Sequence, residues 1–310
     1  MKFLSFDSPF LTKVALAAAA LVLAATHLTG CGSISDEVSG TAFSMPEHVA
    51  TATFDANAAE TSGTCAIDTS SVASGYVGAS AQASSRLKFL IACGDATMIY
   101  DLPQDGTPIV CPLSLGDGPY SFRIMQNTSG ENYVELFSAQ ASVELSSEFE
   151  PFLRPNIYCD FDDASASTAQ ARKLAKKAKT QAEAVEDVCN WIVENISYDD
   201  AKASQLKDAT GYIPDPDSTL KTKKGVCFDY ASLGAAMLRA LGIPTKIVTG
   251  NVSPDGIYHA WIMVYIDGTW KSAQFDVEPK TWSRVDLTFA ASGDDKNVGD
   301  GKEYTDRYVY

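Results

Sequence analysis

The hydrophobic period of this chain changes twice, and no single-layer architecture accommodates that. From about Gly75 to Leu145 the apolar residues come in short runs or alternate with polar ones. Leu87-Lys88-Phe89-Leu90-Ile91 and Pro108-Ile109-Val110-Cys111 are such runs, and Tyr120-Ser121-Phe122-Arg123-Ile124 alternates. Tyr133 to Phe137 and Val143 to Leu145 continue the style, with Asp105-Gly106, Gly116-Asp117-Gly118-Pro119 and Ser129-Gly130 as turns. Short strands at this spacing predict a small all-β sandwich. The period then becomes helical. Ala171 to Thr180 is rich in Ala and Lys, and Val185, Val188, Ile192 and Ile196 line one face of a helix. Gly211, Pro214 and Pro216 break the chain, and Leu233, Met237 and Leu241 resume the helical spacing until Gly242 and Pro244 stop it. Strand-like segments return at 245–248, 260–266, 270–277 and 282–287. Helices followed by a sheet predict an α+β domain over 151–310, preceded by the sandwich at 63–150.

The N-terminus reads as a targeting segment. Met1-Lys2 and Lys13 precede an apolar run from Val14 to Ala25, too short for a permanent bilayer span. Leu28-Thr29-Gly30-Cys31 resembles a bacterial lipobox, which implies cleavage of residues 1–30, lipidation of Cys31 and anchoring to the outer face of the cell membrane. Residues 31–62, rich in Ser, Thr, Ala, Glu and Gly, are expected to be a flexible tether. Without residues 1–30 the chain keeps 22 basic against 38 acidic side chains, a formal charge of −16. That surface disfavours nucleic acid as a partner.

Scarcity narrows the chemistry. There are three histidines: His27 in the targeting segment, His48 in the polar stretch, and His259 in Tyr258-His259-Ala260-Trp261. Two histidines in the mature chain and no Cys-x-x-Cys leave too few ligands for a zinc site, and no cofactor is called for. The acidic stretch 293–301 lacks the spacing of a twelve-residue calcium loop. Of the cysteines other than Cys31 and Cys227, an odd five remain, and Cys93 with Cys111 could close one disulfide in an exported protein.

Cys227, in Gly225-Val226-Cys227-Phe228-Asp229-Tyr230-Ala231, is placed at or just before the first turn of the helix running to Leu241. Unpaired N–H groups there stabilise a thiolate and could steady an oxyanion. His259 is the imidazole available as its general base. Two carboxylates compete to orient that ring. A two-residue turn at Asp267-Gly268 would bring Asp276 opposite His259, while Asp286 sits in Trp282-Ser283-Arg284-Val285-Asp286-Leu287-Thr288.

These residues together resemble the transglutaminase-like cysteine peptidase superfamily. The resemblance rests on Gly-Val-Cys-x-Asp-Tyr-Ala, a helix ending Leu-Gly-Ile-Pro, His-Ala-Trp on a strand and Trp-x-x-x-Asp-x-Thr after it, and it covers roughly 165–290. It implies a papain-like core of helices packed on an antiparallel sheet, with a Cys227–His259–Asp286 triad. Asp286 is thus preferred over Asp276, although Leu287 stands where the family's pattern has proline. The whole arrangement resembles surface lipoproteins of Gram-positive bacteria. The implied activity passes through a thioacyl enzyme on peptide-like amides of proteins or cell-wall peptides, ending in hydrolysis or acyl transfer. The competing reading is an inert surface scaffold that binds through the sandwich.

Overall fold

The computed structural model describes residues 40–207, 209–252, 257–272 and 304–310. It is a mixed helix-and-sheet fold, and its sheets of four strands are antiparallel. The first half builds two such sheets. One orders β1 (Glu60–Ser62), β2 (Cys65–Asp68), β3 (Tyr76–Ala81) and β6 (Ile109–Pro112) side by side. The other has the order β5-β4-β7-β8, from β4 (Leu87–Cys93), β5 (Ala96–Leu102), β7 (Gly118–Ser129) and β8 (Asn132–Val143). The period-two alternation becomes burial directly: Phe122 and Ile124 are fully buried while Arg123 between them is not, and Phe89 and Ile91 do the same on β4. Ile67, Val77 and Ala79 of the first sheet and Phe89, Ile91 and Phe122 of the second belong to one hydrophobic cluster.

That cluster continues into the second half. Its helices are α1 (Ala166–Leu174), α2 (Gln181–Asn195), α3 (Asp200–Leu206), α4 (Pro216–Thr222) and α5 (Cys227–Ala240). Between them run a short parallel pair, β9 (Ser197–Tyr198) with β10 (Lys224–Gly225). The last sheet has the order β13-β12-β11-β14, from β11 (Thr245–Val252), β12 (Ile257–Ile266), β13 (Thr269–Ser272) and β14 (Tyr304–Val309).

Helix α2 begins where its chemistry requires. Thr180 caps it by accepting from Glu183 N–H, and the Glu183 carboxylate accepts from the N–H groups of Lys179 and Thr180. Val185, Val188 and Ile192 are buried along one stripe. Helix α5 is the axis of the domain: every residue from Asp229 to Ala240 is buried. Its small residues (Ala231, Gly234, Ala235, Ala236 and Ala240) let neighbours approach on all sides, as expected of a helix without a solvent face. Arg239, at its last turn, is also buried; its guanidinium donates to the carbonyls of Thr245, Arg154 and Tyr310, bolting the helix end to β11 and to the chain beyond β14. Burial lowers its pKa from the ordinary guanidinium value.

Two expectations are corrected. Residues 40–62 do not hang free. Thr41 donates through N–H and hydroxyl to Asp267, Phe43 N–H donates to Lys179 carbonyl, and Gln181 N–H donates to Thr41 carbonyl. Farther along, Val49 N–H reaches Asp163 and Asp55 N–H reaches the buried Asp68. Composition concealed this, because the partners lie more than a hundred residues away for most of these bonds. Cys93, on β4, and Cys111, on β6 of the other sheet, are both free thiols. The expected turn at Asp267-Gly268 is present, both residues at positive φ, joining β12 to β13 in the register Ile266 to Thr269.

Candidate active site

Cys227 is the first residue of α5 and is partly exposed. The chain is delivered to it by stitching at both strands of the short pair. Ser197 N–H donates to Lys223 carbonyl, and Asp199 N–H donates to Gly225 carbonyl. Gly225 is indispensable for contact rather than for φ: a Cβ there would lie 2.6 Å from the Cβ of Asp229.

Asp229 occupies the third position of α5 and has no exposed surface. Its carboxylate accepts from Val226 N–H at 2.8 Å, from the Lys202 ammonium at 2.7 Å and from the Tyr212 hydroxyl. Val226 carbonyl in turn accepts from the N–H groups of Asp229 and Tyr230. The first turn of the nucleophile helix is therefore closed by a reciprocal cap whose acidic member is buried and charge-paired. Lys202 arrives on α3, which Asp199 caps through Lys202 N–H, and its ammonium also lies over the Tyr212 ring, 4.7 Å from the centroid. Burial, and next the hydrogen bond to Asp229, push the Tyr212 phenol well above its ordinary pKa, so it stays a donor. Asp229 was visible in sequence as an acid at the third helix position. Lys202 and Tyr212 carried no such mark, because neither lies at helical or strand spacing from Cys227.

His259 lies near the start of β12 and is buried. Alternation puts it on one face with Trp261, Met263 and Tyr265, while Ala260, Ile262, Val264 and Ile266 enter the core that α5 also fills. Which end of α5 it meets follows from topology. Helix α5 is about 21 Å long at the usual rise, and a tight turn at Gly242 returns the chain along β11. Strand β12 runs back again, so α5 and β12 point the same way and their N-terminal ends lie together. Tyr258 supports this: its phenol, half exposed and bonded to Thr249 Oγ1 at 2.7 Å, is within electrostatic reach of Cys227. Burial and, more weakly, the Cys227 charge raise its pKa. Tyr258 shares the α5-facing side of β12 with Ala260 and Ile262, and His259 the other, so the topology brings the start of β12 to Cys227 without the alternation itself turning the imidazole onto the sulfur; sequence reading had not singled Tyr258 out. Asp286, Asp276 and Cys31 lie outside the described residues.

Residues 168–286 match the profile of the Transglutaminase-like superfamily. The chain carries a transglutaminase-like domain. A UPF0252 protein of Methanocaldococcus jannaschii is 28% identical over 178 residues, 55% of this chain and 44% of that protein. Kyphoscoliosis peptidase of Homo sapiens is 30% identical over 137 residues, 41% of this chain and 20% of that protein. The chain thus spans only about half, or less, of the length of the relatives it matches. Among solved structures, a provisionally assigned cysteine protease from Cytophaga hutchinsonii aligns with a TM-score of 0.37 at 18% identity, covering 76% of this chain and 85% of that one. The transglutaminase-like domain begins inside α1, so it takes in α2, the Asp229 network, Cys227 and His259.

Proposed function

We propose that this chain is a cysteine-nucleophile enzyme that acts on peptide-like amides through a thioacyl intermediate, exported and held at the outer face of the cell membrane by lipid on Cys31. The observation that carries the chemistry is Cys227 at the first position of a helix whose first turn is fixed by a buried carboxylate, with His259 at the same end of the neighbouring strand. Orphan N–H groups and the helix dipole favour the thiolate there.

In the proposed reaction His259 takes the Cys227 proton, and the sulfur attacks the amide carbon. The carbonyl electrons move to oxygen, which the N–H groups opening α5 receive. When the oxyanion collapses, the C–N bond breaks and the imidazolium returns its proton to the departing amine. Water or a second amine then attacks the thioester, giving acid or new amide and restoring the thiol. Asp286 is the carboxylate assigned to orient the ring, with Asp276 as its alternative. Exposure to bulk water favours hydrolysis as the outcome.

The test is the pH dependence of iodoacetamide labelling of the mature chain, located by mass spectrometry, on the parent and on His259→Ala. Selective labelling of Cys227 near pH 6, weakened in His259→Ala, is the expected result. Labelling of Cys227 only near the pH of an ordinary thiol would sink the pairing and leave an inert scaffold as the better account.

A further inference from the structure

The last strand departs from regular pairing at one residue. Along β14, Val309 and Tyr308 pair with Val248 and Thr249 of β11, and pairing resumes with Asp306 opposite Gly250. Arg307 is left over as the extra residue of a β-bulge on an edge strand. Such a bulge re-aims a side chain, and here it decides which side of the sheet the guanidinium serves. Strict alternation from Tyr308 would send Arg307 to the side of His259, to which Asp306 belongs through Gly250. The ring contacts place it on the other side. Arg307 Cζ lies 5.1 Å from the ring centroid of Tyr308 and 6.0 Å from that of Tyr258. Tyr308 pairs with Thr249, and Tyr258 shares its side with Ala260, so both rings belong to the side that faces α5.

Cys227 lies at the same end of that side. Tyr258 is near the start of β12, half exposed, with its phenol bonded to Thr249 Oγ1 at 2.7 Å and within electrostatic reach of both Cys227 and Arg307. A run of ring contacts makes the same connection through the interior. Phe228, beside Cys227, lies 5.2 Å from Tyr158, Tyr158 lies 4.7 Å from Tyr310, and Tyr310 lies 6.1 Å from Tyr308. Asp229, the acid nearest to Cys227 in sequence, is buried and paired with Lys202. Arg307 is exposed, and among the described residues no carboxylate pairs with it. A guanidinium lying on two rings keeps its N–H edge available to a planar, bidentate acceptor. The mature chain carries 38 acidic against 22 basic side chains, so its overall field repels an anion, and Arg307 reverses that field locally.

We propose that Arg307, seated on Tyr258 and Tyr308, is a specificity residue that draws a carboxylate to the Cys227 side of the sheet. The preferred peptide then carries an acidic side chain or a free chain end close to the amide that is attacked. As a statement about substrate, this rests on the function proposed above; as a statement about the field at the sulfur, it does not.

The test compares alkylation of Cys227 by iodoacetate and by iodoacetamide on the full mature chain, at pH 8.5 and low ionic strength, with mass spectrometry to assign the site. Both reagents attack the same thiolate, so their rate ratio cancels the ionised fraction and reads the field at the sulfur. Arg307→Glu should lower the iodoacetate-to-iodoacetamide ratio by about threefold or more, and Arg307→Lys should hold it within about twofold of the parent. Arg86→Glu, the same change of net charge on the connection before β4, should leave the ratio at Cys227 unchanged. An equal ratio in the parent and in Arg307→Glu, or an equal fall in Arg86→Glu, would overturn the proposal. Protection from iodoacetamide names the source of the carboxylate. Acetyl-Ala-Glu-Ala-amide carries it on a side chain, acetyl-Ala-Gln-Ala at the chain end, and acetyl-Ala-Gln-Ala-amide lacks it. One of the first two should protect Cys227 at about fivefold lower concentration than the third, a preference lost in Arg307→Glu. No difference among the three would also overturn the proposal. Should the ratio respond to Arg307 while the pH profile of Cys227 is that of an ordinary thiol, the anion preference stands and the enzymatic reading falls.

Discussion

Replacing Lys202 by Met tests whether the buried Asp229 network holds the helix that carries Cys227. The carboxylate has no exposed surface, and Lys202 is its one cationic partner in the network, at 2.7 Å. Removing one member of a buried ion pair costs roughly 3–5 kcal/mol, since the other charge is left uncompensated. The Lys202 side chain is 29% exposed, so water reaches the vacated position and the expected loss is about 2–3 kcal/mol. Lys202→Met/Asp229→Asn keeps an acceptor for Val226 N–H and Tyr212 while removing both charges. It should therefore be less destabilised than the sum of the single changes, by about 2 kcal/mol. Urea unfolding followed by circular dichroism at pH 7 supplies the three values, provided the m-values agree. Additive single costs, or a Lys202→Met loss below about 0.5 kcal/mol, would refute the claim that the network is coupled.

Other expectations are simpler to check. Gly225→Ala should lower stability by about 2 kcal/mol or more in the same urea assay, because its Cβ would meet Asp229 Cβ at 2.6 Å and one of two buried segments must move. Thr180→Ala should cost about 1 kcal/mol through the lost cap of α2, with Glu183→Ala costing a similar amount and the pair less than additive. Burial pushes Cys189 to about 12 and Cys159 to about 11, so neither should react with Ellman's reagent at pH 8 until the protein is unfolded, whereas Cys227 should react in the native state. These two thiols also set an alkaline limit. Their folded pKa values exceed the unfolded ones, so the stability they contribute is complete below about pH 8.5 and is lost as pH rises beyond it, by roughly 2 kcal/mol each at pH 10. A thermal melt at pH 10 no lower than at pH 7 would contradict this.

The parts of the site that local pattern determines were legible beforehand. A cysteine after Gly225, an apolar helix behind it and a stop at Gly242 placed Cys227 at a helix N-terminus, and α5 begins at that residue. The hairpin at Asp267-Gly268 was legible for the same reason, two residues suited to positive φ. Helix α1 was not: it starts at Ala166, five residues before the expected Ala171, because its opening N–H groups are held by Asp217 from α4. No local window contains that partner. The hairpin of β7 and β8, two strands of twelve residues each, was likewise expected as separate shorter strands, since Met125 to Ser129 lacks alternation and is held by Asn127 N–H donating to Arg86 carbonyl. Lys202 and Tyr212 show the limit most clearly. They are ordinary surface residue types, and they converge on Asp229 through folding of the whole domain.

The docking of the chain from Gly40 onward has a consequence for where the protein works. If Cys31 is acylated as proposed, nine residues separate the lipid from the first point laced to the body, beside Thr41 and Asp267. Fully extended, nine residues reach about 30 Å, roughly one bilayer core in length. A free tether to residue 62 would have allowed a working radius more than three times as great. The enzyme would instead be short-leashed, patrolling substrates within one domain's breadth of the lipid surface and leaving those deeper in the envelope to other proteins.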